Sequence, residues 1–383
     1  MTFHSLKKFR FIKYFVIAST LIQCSQTKNI AQSISNPQLE FLNEYVIPNK
    51  MIFDNTAVGG LSSLDYDSAS QTYAAISDDR SEINPARYYT FKIGIQNDKI
   101  DTVIFQNMYF LKNANNQLFP SLNKNKKGSV DPEALRMFGN KIIWSDEGLR
   151  EENRRDTILV NPRVFLADSN GDFIDTFPLP NALHSNAGEW GPRNNGAFEG
   201  LTISPDNKFA MVSVEEPLLQ DGPRAGLKDS SAIVRLLKFD LKTRKVIAQY
   251  AYSVDPVAHP VFPPSAFRIN GISDIMYLDE NHLLVVERSY SSGSLRCTIK
   301  VFITDLSHAE DISKFNSLKG ETFSILPKKL LLNTDTMKMF IDNIEGVTFG
   351  SMLSDGSPSL IFISDNNFNP LERTQLLLFK FKK

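Results

Sequence analysis

Short acidic motifs recur along this 383-residue sequence, and their residue types suit cation binding. Glu133, Glu199 and Glu345 each lead an apolar run in which a charged residue is unexpected. A second set of acids ends runs that read as buried strands, and it comprises Asp78, Asp146, Glu147, Glu215, Glu287 and Asp365. Carboxylate oxygens are the ligands of hard divalent ions, so these motifs predict a metal site with Ca²⁺ as the expected ion.

Two arginines immediately follow acids in these motifs, namely Arg80 and Arg288. A guanidinium group can pair with carboxylates or bind a phosphate through two parallel hydrogen bonds. We therefore expect both arginines to hold a small anionic substrate. Glu133 is the candidate general base from its position alone, and Glu199 is placed with it in the catalytic set. The expected metal ligands are Asp78, Asp146, Glu147, Glu215, Glu345 and Asp365.

The elements that must position these residues form an internal repeat. Five segments share a short strand led by glycine or an acid, a turn, and a buried strand that ends in acids. By subtraction, the intervals between Asp78, Asp146, Glu215, Glu287 and Asp365 are 68, 69, 72 and 78 residues. Each interval also holds two further strand-like runs, and four strands per radial unit define a β-propeller.

The sequence thus predicts an all-β propeller with five blades, one for each repeat. A sixth blade is the alternative, because blades usually need only about 40–50 residues. The run from Leu39 to Ile47 is expected to complete the last blade and close the ring.

The geometry of a hairpin predicts that the acids meet. In an antiparallel pair, the start of the first strand and the end of the second lie at the same edge. A propeller points that edge of every blade towards its axis, so the carboxylates should share one end of the central channel. The alternative is that they are solvated turn residues, which five motifs in register disfavour. Asn270-Gly271 replaces the acid in the fourth repeat, which should contribute less or differently.

The N-terminus reads as an export signal. A basic segment from Lys7 to Lys13 precedes the apolar run from Tyr14 to Ile22, which is shorter than the ~20 residues of a membrane span. Leu21-Ile-Gln-Cys24 is similar to a lipoprotein cleavage box, so residues 1–23 are the predicted signal peptide and Cys24 the lipidated residue. The alternative is an ordinary secretory signal with later cleavage. With Cys24 lipidated, residues 24–38 would form a tether, and the anchored body would face the periplasm or the cell exterior.

Composition excludes several other functions. The formal net charge of −1 leaves no global field for nucleic acid. Beyond Cys24 the chain has one cysteine, Cys297, so no disulfide framework or zinc site is expected, and this thiol should be buried. The sequence contains no Gly-x-Ser-x-Gly elbow, Walker loop or His-Glu-x-x-His helix. Asp168 to Asp172 is interpreted as a hairpin turn.

The motifs also carry a family resemblance. They include Gly59-Gly-Leu-Ser62, Ser77-Asp-Asp-Arg80, Pro85-Ala-Arg-Tyr88, Asp131-Pro-Glu133, Ser145-Asp-Glu147, Phe198-Glu-Gly200 with Glu215, Glu287-Arg288, Glu345-Gly346 and Ser364-Asp-Asn-Asn-Phe368. In this order they resemble the phytase-like family with esterase-like activity. The resemblance implies a propeller domain over residues 39–383 and an exported monomeric hydrolase of phosphate esters. The alternative is a non-catalytic propeller that binds a ligand or a partner protein.

Overall fold

The computed structural model describes residues 37–153, 156–228, 232–294 and 296–382. The predicted signal peptide, Cys24 and nearly all of the predicted tether lie outside these residues. The boundaries at residues 23 and 38 therefore stay predictions. Among the described residues, no helix has the length and apolar character needed to cross a membrane.

Strands dominate the described chain, and the only helical elements found there are the 3₁₀ turns Asn181–Leu183 and Thr334–Thr336. In chain order the strands are β1 (Gln38–Ile47), β2 (Ile52–Phe53), β3 (Thr56–Ala57), β4 (Asp65–Asp67), β5 (Thr72–Ser77), β6 (Arg87–Gln96), β7 (Lys99–Phe110), β8 (Pro132–Phe138), β9 (Lys141–Asp146), β10 (Leu149–Glu152), β11 (Thr157–Val160), β12 (Arg163–Asp168), β13 (Phe173–Thr176), β14 (Phe198–Ile203), β15 (Phe209–Val214), β16 (Ile233–Asp240), β17 (Val246–Ser253), β18 (Arg268–Tyr277), β19 (His282–Ser291), β20 (Thr298–Asp305), β21 (Lys328–Asn333), β22 (Asn343–Phe349), β23 (Ser359–Asp365) and β24 (Thr374–Lys382).

Within the described residues, the strands form five antiparallel sheets of four strands each and two small hairpins. From the axis outwards, blade 1 is β4-β5-β6-β7 and blade 2 is β8-β9-β12-β13. Blade 3 is β14-β15-β16-β17, and blade 4 is β18-β19-β20-β21. Blade 5 is β22-β23-β24-β1. The hairpin β2-β3 precedes blade 1, and β10-β11 is inserted in blade 2.

The innermost strands contact one another in a closed circle, in the order β4, β8, β14, β18, β22 and back to β4. The prediction of a five-bladed propeller is confirmed, and a sixth blade is excluded within the described chain. The N-terminal strand closes the ring as expected, because β1 pairs with β24 from Gln38↔Lys382 to Ile47↔Thr374. This pairing covers an edge that would otherwise be open to association with other chains.

The core lies between adjacent blades, because both faces of each sheet are covered. The seam between blades 2 and 3 buries aliphatic side chains from both sheets, with Ile143, Val164, Leu201 and Val212 all fully enclosed. Burial of one such side chain contributes about 1.5–3 kcal/mol. This packing holds neighbouring inner strands at fixed positions around the axis. Cys297 is buried as expected, and burial raises the pKa of its thiol to about 12.

An ion pair crosses the axis between two blades that are not neighbours. Arg136 in β8 donates through Nη2 to both carboxylate oxygens of Asp274 in β18, each at 2.9 Å. The two side chains are only 5% and 1% exposed. Arg136 lies three residues beyond Glu133 along β8, so the pair lies deeper in the channel than the acids.

The hairpin turn expected at Asp168 to Asp172 is present, because the carboxylate of Asp168 accepts from the amides of Asn170 and Asp172.

Candidate functional site

The predicted glutamates lie in β-bulges at the start of the innermost strands. The pairing of β8, β14 and β22 with the next strand shifts register around Glu133, Glu199 and Glu345 respectively. A bulge adds a residue to one strand and changes the direction of its side chain. We call the end of the axis where β8 begins and β9 ends the mouth. In β18 the equivalent bulge residue is Ser273, not an acid.

The next ring of residues follows the second strand of each blade. The amides of Asp78, Glu147 and Glu215 donate at 2.6, 3.1 and 2.7 Å to backbone carbonyls that precede the first strand of their own blades, those of Gly60, Asp131 and Ala197. In blades 4 and 5 the residues at this position are Arg288, opposite Gly271, and Asp365, opposite Asn343. The mouth is therefore surrounded by four acids and one arginine, which are Asp78, Glu147, Glu215, Arg288 and Asp365.

Asp146 and Glu287 do not belong to this ring, which corrects the repeat alignment by one residue in blades 2 and 4. Side chains alternate between the two faces of a strand, so each points away from its neighbour in the ring. Asp146 accepts from Arg163 Nε at 2.6 Å and from the amide of Asp131 at 2.7 Å. Glu287 accepts from the hydroxyl of Tyr252 at 2.8 Å. The structure thus places Asp146 outside the acidic cluster, and Glu147 faces the mouth.

Two groups of three carboxylates lie close enough to share a metal ion. The Asp78 triad consists of Asp78, Asp131 and Glu133, and the Glu199 triad consists of Glu133, Glu147 and Glu199. In each triad, one oxygen from every residue lies within 4.8 Å of the others. Glu133 belongs to both triads. Asp131 was not among the predicted ligands, although its place two residues before Glu133, immediately before β8, was an available signal.

Burial and mutual repulsion make these carboxylates costly to ionise. Burial raises the pKa of Glu199 well above its usual range, and the charges of Glu215 and Glu147 raise it further. Burial also raises the pKa of Glu133, with added repulsion from Asp78 and Glu199. A bound cation would remove this repulsion, because it favours the charged form of each acid.

The hydrogen bonding of the Glu199 triad fits a hard cation. Glu147 Oε1 accepts from the amide of Ala197 at 2.6 Å, whereas Glu147 Oε2 and Glu199 Oε2 are buried without a hydrogen-bond partner among the described residues. Buried polar atoms normally have partners, and charged ones need pairing or a metal. Three carboxylates, two of which have a buried oxygen without a partner, are a donor set of the kind that divalent cations bind through oxygen.

Arg288 lies on the other side of the mouth and is held by protein groups. Its Nη2 donates to Glu215 Oε1 at 2.7 Å, and its Nη1 donates to Asn343 Oδ1 at 2.7 Å and to Glu345 Oε1. Its side chain is only 13% exposed. Arg288 therefore links two predicted metal ligands and balances part of their charge. In this arrangement both terminal nitrogens already have partners.

Arg80 has a different environment at the rim of the mouth. It forms an ion pair with Asp131 and donates through Nη2 to Asn195 Oδ1 at 2.8 Å. Its side chain is 28% exposed, while that of Asp131 is 3% exposed. The other guanidinium nitrogens of Arg80 make no hydrogen bond within the described ranges. Arg80 is thus a solvent-accessible cation beside the Asp78 triad.

The motif after β23 fixes the seam between blades 5 and 1. Asn366 Oδ1 accepts from the amide of Gly60 at 3.0 Å, and the Phe368 ring packs against Gly60 so closely that a Cβ there would lie 2.6 Å from it. Phe368 has a φ of 52°, a backbone conformation that residues other than glycine rarely adopt. The carbonyl of Gly60 accepts from the amide of Asp78, so this seam positions one member of the Asp78 triad.

Fold and site together define a five-bladed β-propeller whose mouth carries buried carboxylate clusters able to hold a metal ion. The chain belongs to the phytase-like family, described as having the esterase-like activity of phytase, whose profile matches residues 56–368.

Several known proteins are similar to this chain. An uncharacterized secreted protein of Arthroderma benhamiae (strain ATCC MYA-4681 / CBS 112371) is 32% identical over 262 residues, which cover 63% of this chain and 47% of that protein. The chain thus spans about half the length of this relative. Among solved structures, a xylan β-1,4-xylosidase from Bacillus halodurans C-125 has 10% identity and a TM-score of 0.44, covering 83% of this chain and 52% of that one. An α-L-arabinofuranosidase from Lactobacillus brevis has 8% identity and a TM-score of 0.43, covering 84% and 91%.

Proposed function

We propose that the protein is an exported hydrolase that cleaves phosphate esters at the mouth of its propeller with the help of a divalent cation, Ca²⁺ in our assignment. Membership of the phytase-like family supports the reaction class, and the relative described as secreted supports export. The buried carboxylate triads support the cation. The substrate is a small anion, and the protein acts as a monomer.

The observation that carries this proposal is the position of Arg80. A partly exposed guanidinium group lies beside a carboxylate triad, with only part of its donor capacity used by Asp131 and Asn195. A phosphate ester needs both kinds of partner, because a cation attracts its oxygens and arginine matches their geometry. Arg80 would bind and orient the phosphate group at the rim.

The carboxylates take their roles from their exposure. Asp78 is the partly exposed member of its triad, whereas Glu133 and Glu199 are only 5% and 4% exposed. We therefore assign to Asp78, instead of the general-base candidate Glu133 expected from the sequence, the task of orienting an attacking water and accepting its proton. Glu133 and Glu199 hold the cation. When bound, that ion would act as a Lewis acid on the phosphoryl oxygen.

Arg288 serves this site indirectly. By pairing with Glu215 and Glu345, it keeps two further carboxylates at the mouth without a cation of their own. Its role is to position these groups rather than to grip the substrate. Lipidation of Cys24 would anchor the protein at the periplasmic or cell-surface side of a membrane.

The proposal is tested by assaying the purified protein against a panel of phosphomonoesters, with added Ca²⁺ and with a chelator. We expect turnover that is lost on chelation and in the Glu199→Gln variant, whose side chain keeps nearly the same volume. The matched control is Glu44→Gln, because Glu44 lies in β1 at the outer edge of blade 5. Absence of turnover on every ester, with stability unaffected by the metal, would support the non-catalytic binding propeller instead.

A further inference from the structure

We infer that the mouth holds two divalent cations, one in each carboxylate triad, with Glu133 as the ligand common to both. The inference rests on the proposed function, because it specifies how that site is loaded. It follows from the geometry of the two triads, from their charge and from their different access to solvent.

Glu133 lies between the two triads and belongs to both. Glu133 contributes a carboxylate oxygen to a triad on each side, towards Asp78 and Asp131 and towards Glu147 and Glu199. A carboxylate has two oxygens and can contact two ions at once. In proteins with two-metal sites the ions are about 3.5–4 Å apart. The oxygens within each triad lie within 4.8 Å of one another, which is compatible with contacts of 2.3–2.6 Å to a central Ca²⁺ ion.

Each triad also contains atoms that lack a partner in the protein. Asp131 Oδ1 is buried without a hydrogen bond among the described residues, and Asp131 is 2% exposed. In the other triad the same is true of Glu147 Oε2 and Glu199 Oε2. One ion would satisfy one of these groups and leave the other buried and unpaired, which costs free energy.

The net charge of the two triads also indicates two bound ions. The two triads together contain five different carboxylates, and Arg80 pairs with one of them, Asp131. Four negative charges are left, which two divalent cations balance and one does not. The opposite half has its own fixed cation in Arg288, bound to Glu215 and Glu345. The residues that the structure describes contain no third triad of this kind.

The two positions differ in access to solvent. The Asp78 triad includes the partly exposed Asp78 and adjoins Arg80, whereas Glu133, Glu147 and Glu199 are 5%, 5% and 4% exposed. The ion in the Asp78 triad would therefore face the substrate and exchange readily. The ion in the Glu199 triad would be enclosed and should dissociate more slowly.

Equilibrium dialysis of metal-stripped protein against Ca²⁺, with metal and protein quantified separately, measures the number of ions directly. We expect two per chain. Asp78→Asn should remove one ion and leave the slowly exchanging one, and Glu199→Gln should remove the slowly exchanging one. Glu133→Gln should weaken both by at least about tenfold, because it removes a ligand from each. The matched control is Glu44→Gln, which alters an acid in the outermost strand of blade 5 and should retain two ions.

The outcomes separate this inference from the proposed function. One ion per chain, together with metal-dependent turnover, overturns the inference and leaves the proposed function standing. Loss of the same single ion in both Asp78→Asn and Glu199→Gln also overturns it. Binding of no Ca²⁺ overturns the inference and the assigned role of the metal. Circular dichroism spectra and unfolding midpoints of every variant, recorded with chelator, show whether each binding loss occurs in a folded protein.

Discussion

Replacement of Glu133 by glutamine should stabilise the protein when divalent cations are absent, although it removes a buried native side chain. Glu133 is the one acid common to both triads, and its pKa is raised well above the usual range by burial and by the charges of Asp78 and Glu199. Glutamine has nearly the same size but carries no charge. The variant therefore removes repulsion from the metal-free state without opening a cavity.

The magnitude follows from Coulomb's law. Two unit charges 4.8 Å apart repel by about 3.5 kcal/mol at an effective dielectric constant of about 20. Glu133 forms four such pairs across the two triads, and full ionisation would cost an amount similar to the 5–15 kcal/mol stability of a typical domain. Proton uptake relieves most of this repulsion. The net gain on substitution should therefore be near the value of one pair, about 3 kcal/mol.

The sign with respect to pH follows from the same shift. The pKa of Glu133 is higher in the folded protein than in the unfolded chain, so the metal-free fold binds more protons. Its stability should fall as pH rises through the folded-state pKa, and the stabilising effect of Glu133→Gln should grow over that range. Saturating Ca²⁺ should reverse the order, because a ligand at 100 times its Kd stabilises the wild type by about 2.7 kcal/mol per site.

Urea unfolding of both proteins at mildly alkaline pH, with chelator and with Ca²⁺, measures these differences. The matched control is Glu287→Gln, because Glu287 is also buried but accepts from Tyr252 and Lys328. It should lose at least about 1 kcal/mol in both conditions. If Glu133→Gln is destabilised in chelator like this control, or gains as much from Ca²⁺ as the wild type, the repulsion argument is wrong.

Three further predictions concern the seam, a second buried acid and the rim. In urea unfolding, Gly60→Ala should lose more stability than Gly139→Ala, because both glycines have a φ near 60° but only Gly60 is crowded by neighbouring atoms. Equal losses of stability would show that the contacts of Gly60 do not matter. Burial, and then the charge of Glu215, raises the pKa of Glu216 from 4.5 to about 7. Glu216→Gln should therefore stabilise the fold by up to about 3 kcal/mol above neutral pH and have little effect near pH 4.5. An effect on stability that does not depend on pH would contradict this cause. Arg80→Gln should raise the KM for a phosphomonoester at least about tenfold without a matching change in fold stability, and an unchanged KM would remove Arg80 from substrate binding.

The propeller was predictable because the same residue types recur along the chain at nearly constant spacing. The acids at the start of the inner strands stand out, since Glu133, Glu199 and Glu345 interrupt apolar runs. In the structure, register shifts at all three positions show bulges, which turn these side chains towards the mouth. Closure by the N-terminal strand was predictable from the missing fourth strand of the last repeat.

The finer assignment failed where two polar residues are adjacent. Asp146 precedes Glu147 and Glu287 precedes Arg288, and one residue of shift along a strand moves a side chain to the opposite face. Only the observed backbone pairing decides which member faces the mouth. The same pairing identifies Ser273, rather than Asn270, as the counterpart of the bulged glutamates. Sequence periodicity does not determine where a bulge occurs, so neither result was available from the residues alone.

A crystal structure of the protein grown with Mn²⁺, with anomalous differences measured to locate the metal, tests the metal assignment directly. We expect strong peaks at the mouth, within coordination distance of Glu133, flanked by Asp78 and Asp131 on one side and by Glu147 and Glu199 on the other. Well-ordered carboxylates in the same positions without an anomalous peak between them would contradict this assignment.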